Sequence, residues 1–483
     1  MKFNLLVLTL LAVSAPAAHA ANTFYVSPTG NDTNNGSKTK PWKTVQKACN
    51  SATPGSTVSV AAGTYNEKVV VNVQGSAAGG YITFLGATGA KISGVGKAGK
   101  HLISIENKSY LKFIGFELVD NLKVSDGSAI RLEGSGEHIE LRRNKIHNVT
   151  GKDAMGITVY GNSPGVPFSD LIIDGNEIYD CQPAPSEALT INGNVAGFEI
   201  TNNYVHDVNN IAIDMIGGEG TCPKAANDAA RNGICRLNRV ERSRSNYEGG
   251  YGAGIYVDGG RDILIERNYV TQSDLGMEIG CENKGKVTTG VIVRNNLLAN
   301  NDKAGLVFGG YDTSAGRVQK CQFLNNTIYQ NDTLNTGNGQ LWIQIASGNV
   351  VKNNIFVAAL GGNALNVVSG GTGNTLDRNL WFSPDGEPVY NWKDKEYVGL
   401  AAFQKISKLE ANSIAANPQF SNAKTGNFRL KTNSPAIDKG ESGLAVGDLD
   451  YRGQVRVQGG KVDLGAFETS GNSGALTGSA NED

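Results

Sequence analysis

Proline is scarce in this chain, with 13 in 483 residues, whereas glycine numbers 62 and is spread along the whole length. That balance excludes a proline-rich or disordered chain and marks many turns in a large β protein. No excess of charge exists either. Lys and Arg number 44 against 45 Asp and Glu, a net charge of −1. A broad basic surface for nucleic acid is thereby excluded. No Cys-x-x-Cys pair occurs, which removes the usual structural zinc spacing. There is no nucleophilic Ser/His/Asp signature, no phosphate loop and no dinucleotide fingerprint. Histidine is rare, with 5 in the chain. His19 falls in the first twenty residues. His101, His138, His147 and His206 are scattered and read as structural or surface groups.

The one compact apolar run is at the start. Lys2, "FNLLVLTLLAV" and "AHA" at 18–20 read as a secretory signal over residues 1–20, with a mature start near Ala21. That run is too short to span a membrane, and no later run is long enough. A secreted protein, extracellular or periplasmic, is expected. The cysteines are Cys49, Cys181, Cys222, Cys235, Cys281 and Cys321. An even count fits an oxidising compartment. Cys222–Cys235 is the expected bridge because both flank a loop-like insert; the alternative is buried free thiols.

What is present is a repeat. An Asn followed two residues later by an apolar residue recurs in "RNKI", "GNEI", "NNYV", "LNRV", "RNYV", "NNLL", "NNTI", "NNIF" and "RNLW". The asparagines are 144, 176, 203, 238, 268, 296, 326, 354 and 379. Each unit also holds a short strand ending in Gly, such as "GITVYG", "ALTING", "GIYVDGG" and "GMEIG". Units of this length with no helical period fit coils of an all-β solenoid, which bury their inner faces only by stacking. Asn at one point of each coil tolerates a left-handed turn, and its amides can bond along the stack.

The "NNxI" rhythm over roughly residues 100–385 resembles that of right-handed parallel β-helix proteins with a pectate-lyase-like fold. The opening "FYVSPTGNDTNNGSKTKPWKTVQKAC" and the closing "ANPQFSNAKTGNFRLKTNSPAIDKG" and "VDLGAFE" are similar to the ends of secreted β-helix enzymes. The resemblance implies a single-stranded right-handed parallel β-helix with a short N-terminal capping helix beginning at Thr44–Ala48. One domain is expected over 21–469, followed by a flexible tail at 470–483.

Aligning the Gly-ending strands sorts their residues into columns, because strand residues alternate in and out. Ile213, Ile255, Met277 and Leu306 form an inward column. Thr158, Thr190, Asp214, Tyr256, Glu278, Val307 and Trp342 form an outward one, and Tyr160, Asn192, Ile216, Asp258, Gly280, Gly309 and Gln344 a second. At standard spacings Asp258 lies ~8 Å from both Asp214 and Glu278 at Cα, and those two lie ~10 Å apart. Outward acids on a solenoid are often only solvated. Three on consecutive coils within apolar strands would repel unless they share a proton or bind a cation. An excursion from Gly217 to Tyr251 leaves directly after the Asp214 strand and is expected to build a cleft wall with its arginines and Tyr251.

Two chemistries suit such a patch. Glycoside hydrolysis needs a protonated acid and a second carboxylate. Asp258 and Glu278 are the expected pair, with Asp214 as modulator or alternative base, and no cofactor. Here the chain resembles β-helix glycoside hydrolases, whose acids also sit on adjacent coils. Tyr256, Tyr251, Trp342, Arg242 and Lys284 are the expected substrate-binding residues, with Tyr160 as a further sugar platform. The alternative is a polysaccharide lyase acting on a uronate, with Ca²⁺ held by Asp214, Asp258 and Glu278 and a base among Tyr256, Lys284 or the insert arginines. The chain's ends are similar to family 9 pectate lyases, but the paired-aspartate calcium run and lysine-bearing strand of that family are absent at the matching coils. A non-catalytic carbohydrate-binding solenoid is the third reading. In each the partner is a polysaccharide, and a monomer is expected.

Overall fold

The computed structural model describes residues 22–247 and 249–469. The expected signal at 1–20 and tail at 470–483 lie outside the described residues, as does Glu248. The chain winds into a right-handed parallel β-helix of about 12 turns. Among the described residues no helix is long and apolar enough to cross a membrane.

The coils stack through the asparagines. Asn144 donates through Nδ2 to Asn176 Oδ1, and the same bond repeats through Asn203, Asn238, Asn268, Asn296, Asn326, Asn354 and Asn379 at 3.0 to 3.1 Å. Each of these amide oxygens also accepts the backbone N–H of the ladder residue one coil earlier. Glu410 closes the ladder by accepting from Asn379. The left-handed turn conformation belongs not to these asparagines but to the residue before each, for example Arg143, Leu237 and Arg378. The ladder residue itself turns inward, buried.

Two helices cover the ends. Thr44 caps α1 (Val45–Ser51) by accepting from Lys47 N at 3.0 Å, as the opening segment implied. A second helix, α2 (Leu400–Ser407), is an addition to the expected design. It covers the other end with Phe403, stacked on Tyr390 at 4.7 Å, and Trp381 stacks in turn on Phe356 at 4.1 Å. The closing segment then runs back along the coils. Arg267 Nε donates to Tyr451 O, Asn295 Nδ2 to Val446 O, and Asn325 Nδ2 to Asp463 O.

All six cysteines are free and buried, which corrects the expected Cys222–Cys235 bridge. Cys235 faces the coil interior, where Asn238 Nδ2 donates to its sulfur at 3.4 Å. Cys222 sits in an outer turn against the carbonyls of Ser163 and Lys224. An inward strand residue and an outer-turn residue cannot meet at disulfide range.

Candidate active site

Seven strands position the acids. They are β1 (Lys145–Gly161), β2 (Leu189–Thr201), β3 (Ile213–Ile216), β4 (Ala253–Asp258), β5 (Leu275–Gly280), β6 (Ala304–Gly309) and β7 (Leu341–Ile343). Their pairing is parallel and places Thr158, Thr190, Asp214, Tyr256, Glu278, Val307 and Trp342 in one register column. The inward column Ile213, Ile255, Met277 and Leu306 is fully buried in the core. Each such Leu or Ile stabilises the coil by about 1.5–3 kcal/mol relative to exposure, so the inner face holds the outer acids in register. A slip of one residue would send them into the core.

On the outer face the column opens into a cavity of about 710 Å³. Asp214, Asp258 and Glu278 line it, joined by Glu187, Glu219 and Glu282. Its aromatic walls are Tyr160, Tyr247, Tyr251, Tyr256, Tyr311 and Trp342. Tyr251 and Trp342 stand 6.4 Å apart at 49° on one side. Tyr256 lies between the Asp214 and Glu278 coils and donates to Glu282 Oε1 at 3.3 Å. Its ring needs the missing side chain at Gly280, where a β-carbon would stand 2.6 Å from the phenol oxygen.

The acids differ in their bonding. Asp258 Oδ1 accepts the Glu282 backbone N–H at 2.7 Å. Glu187 accepts from Thr190 Oγ1 at 2.8 Å, and Glu219 from Asn192 Nδ2 at 2.7 Å. Asp214, only 2% exposed, has one oxygen without any partner. Burial pushes the Glu278 carboxyl up to about 8, with the Glu282 charge adding to it. Burial first, then the Glu282 charge, holds Asp258 well above the usual carboxylate range, against the lowering effect of its backbone bond. Asp214 is raised by burial and then by the Glu187 and Asp258 charges. Burial likewise raises Glu187. Crowding and low dielectric thus keep protons on acids that would be bare in water.

A pH effect on stability follows. In the unfolded chain Glu278 loses its proton near its ordinary 4.5, but in the fold only near 8. Between these values the folded state binds more protons, so stability falls as pH rises through that range. We expect the urea midpoint of the wild type to fall between pH ~6.5 and ~8, and Glu278→Gln to flatten part of that slope. An equal slope in both proteins would refute the burial of this carboxyl.

The structure redistributes the other expected site residues. Tyr160, Tyr251, Tyr256 and Trp342 line the cavity, whereas Arg242 and Lys284 do not. Arg242 is engaged with Asp207 and Glu241. The middle of the supposed insert is regular coil: its strands Ala229–Arg236 and Arg239–Ser243 pair with neighbours on both sides. Only its two flanking loops reach the cavity, bringing Glu219 on one side and Ser245, Tyr247 and Tyr251 on the other. Arg231 is held by Asn194 and backbone carbonyls, and Arg244 by Asp302. No Lys, Arg or His lines the cavity among the described residues. Nor, among those residues, do three Asp, Glu, His or Cys side chains converge closely enough to hold a metal ion. Asp214, Asp258 and Glu278 share the one cavity. Glu187 and Glu219 were missed because both lie beyond the strand ends where the column alignment stops. For Glu219 the available signal was its place three residues beyond the strand that carries Asp214; Glu187 flanks a strand whose outward columns hold Thr190 and Asn192, and carried no such signal.

Fold and cavity together define a right-handed parallel β-helix with an acid-lined, aromatic-walled cleft on its outer face. Residues 28–217 match the family described as a protein of unknown function (DUF1565), and residues 230–399 match the right handed beta helix region. The chain belongs to the family of the uncharacterized protein YwoF of Bacillus subtilis, with 36% identity over 436 residues, covering 85% of this chain and 91% of that one. Among solved structures, the GH136 lacto-N-biosidase from Eubacterium ramulus aligns with TM-score 0.55 at 14% identity, over 74% of this chain and 67% of that one. Pectate lyase Pel9A aligns with TM-score 0.52 at 15% identity, over 93% of this chain and 97% of that one. XylC in complex with xylose aligns with TM-score 0.53 at 13% identity, over 94% and 99%. At such identities the likeness is one of fold.

Proposed function

We propose that the protein is a glycoside hydrolase acting on a polysaccharide in this cleft. The observation that carries the reading is the gathering of Asp258 and Glu278 in one cavity, with burial holding the proton on Glu278. Glu278 is the general acid. It remains protonated near neutral pH, faces the cavity, and is poised to protonate a leaving glycosidic oxygen. Asp258 is the second carboxylate: it must give up its proton to act, and the Glu282 N–H offers a donor for the resulting charge against the raising effect of burial. Asp214 lies beside the pair in the same cavity as its modulator. Tyr251 and Trp342 are platforms for sugar rings.

Elimination is less well supported. It needs a base and a positive group against the uronate. Tyr256 is held as a neutral phenol, because burial and then the Glu278 charge raise it well above its ordinary value. The cationic candidates lie outside the cavity. Incubation with a panel of glycans tests the reading. New reducing ends without ultraviolet-absorbing unsaturated products are expected. Unsaturated products lost on EDTA treatment would replace hydrolase with lyase. Retention of a glycan without any cleavage would leave a binding solenoid.

A further inference from the structure

The ionisable groups that line this cavity, its tyrosines apart, are of one chemical kind. Six carboxyl groups, those of Glu187, Asp214, Glu219, Asp258, Glu278 and Glu282, face it, and no Lys, Arg or His does among the described residues. Two cations lie behind its aromatic residues. Lys303 lies against Tyr251 at 4.2 Å, but its ammonium is bound to the carbonyls of Gly249 and Gly250. Arg131 lies against Tyr160 at 4.4 Å and is bound to Asp126 and Glu133.

A second observation is independent of the acids. Asn192 and Gln344, 4% and 5% exposed, line the cavity from the second outward column, and the amide oxygen of each has no hydrogen-bond partner. Asp214 Oδ1 is in the same condition. Three buried oxygens are thus left without partners, as is the Trp342 Nε1 donor in the same lining. A group that fills this deficit donates several hydrogen bonds, and the charges of Glu219 and Glu282 favour one that is positive. A bare metal ion does not fit, because the carboxyl groups are spread along the cavity and do not converge. A protonated amine does: it has three donors and no acceptor, and aromatic faces attract it.

We propose that the cleft recognises amino sugars, that is, glycan units carrying a free protonated amine, and that it rejects uronates. The inference rests on the cavity being the glycan site. The charge supplies recognition of the ammonium, and Tyr251 and Trp342 supply surface for the ring that carries it. A carboxylate-bearing sugar would meet the charges of Glu219 and Glu282, which already help to raise Asp214 and Asp258.

Direct binding tests this without relying on turnover. Titration calorimetry of the full chain in slightly acidic buffer would compare a glucosamine tetramer, its fully N-acetylated counterpart, a galacturonate tetramer and spermidine. The acetylated tetramer differs by capping the amine. We expect the free-amine tetramer to bind roughly tenfold more tightly than the acetylated one, and the galacturonate tetramer not to bind. Spermidine carries the charge without the ring and is expected to bind more weakly than the amino-sugar tetramer. Glu219→Gln should weaken the free-amine tetramer several-fold and leave the acetylated one unchanged. Equal or tighter binding of the acetylated tetramer, or binding of the galacturonate, would overturn the proposal. Tighter spermidine binding would overturn the sugar assignment. Amino-sugar binding without cleavage would uphold this inference and remove the hydrolase reading. Cleavage of a neutral glycan that also binds more tightly would do the reverse.

Discussion

Glu278→Gln and Asp258→Asn are each expected to lower kcat on the cleaved glycan by roughly 10²–10⁴-fold, the usual effect of losing a positioned proton donor or acceptor. Both substitutions are close in shape to the original. Glutamine keeps the partly open position of Glu278 on β5, and asparagine keeps an oxygen for the Glu282 N–H that Asp258 now accepts. The fold should therefore survive, with circular dichroism unchanged near neutral pH. The two variants are distinguished by pH. With Glu278 as the acid, the wild-type rate falls on the alkaline side as that carboxyl titrates near about 8. The alkaline limb should vanish from the residual rate of Glu278→Gln and persist in Asp258→Asn. Above that pH the wild type must bury a charge that the glutamine variant lacks, so the variant should also melt at equal or higher temperature there. Full activity in both variants would sink the assignment of this pair.

The register that makes these variants meaningful was readable before any coordinates, for a physical reason. A coil that must stack repeats its constraints, and Asn203, Asn238 and Asn268 each need the same two partners one coil away. The alternation of strand residues then placed Asp214, Tyr256 and Glu278 on one face, and pairing confirms that column. Residues outside the repeat carried no such constraint. Glu187 and Glu219 reach the cavity from turns whose path depends on tertiary packing. Arg242 was misplaced because its strand looked like part of a loop, although Asn238 beside it already kept the ladder's spacing. Cys222 and Cys235 are near in sequence, but sequence distance does not report which side of the wall a side chain takes.

Asn268→Ala is expected to cost at least about 3 kcal/mol of stability, because it opens several buried bonds at once. Asn268 Oδ1 accepts the Asn238 backbone N–H at 2.9 Å and its Nδ2 at 3.0 Å. In the other direction its Nδ2 donates to Asn296 Oδ1 and to Cys235 O, both at 3.0 Å. Alanine satisfies none of these, and water has no route to a side chain with no exposure. Each orphaned group costs about 1–3 kcal/mol, and the vacated volume adds to that. Aspartate is expected to be worse, since it keeps the acceptor, loses both donors and buries a charge. By contrast Asn162, exposed on a turn, should tolerate alanine within about 0.5 kcal/mol. Urea unfolding of the three variants measures the difference, and a loss below about 1 kcal/mol for Asn268→Ala would refute the ladder as a stabilising device. The position matters for function too. Asn268 lies in the chain between β4 and β5, which carry Asp258 and Glu278 on consecutive coils. In a stacked solenoid stability is held at the interfaces between neighbours. Weakening this one should loosen the spacing of the two carboxyls before it unfolds the ends. Asn354→Ala, three ladder steps further along, interrupts an equivalent set of bonds far from the acids. It should therefore lower stability by a similar amount while sparing the rate of the folded fraction.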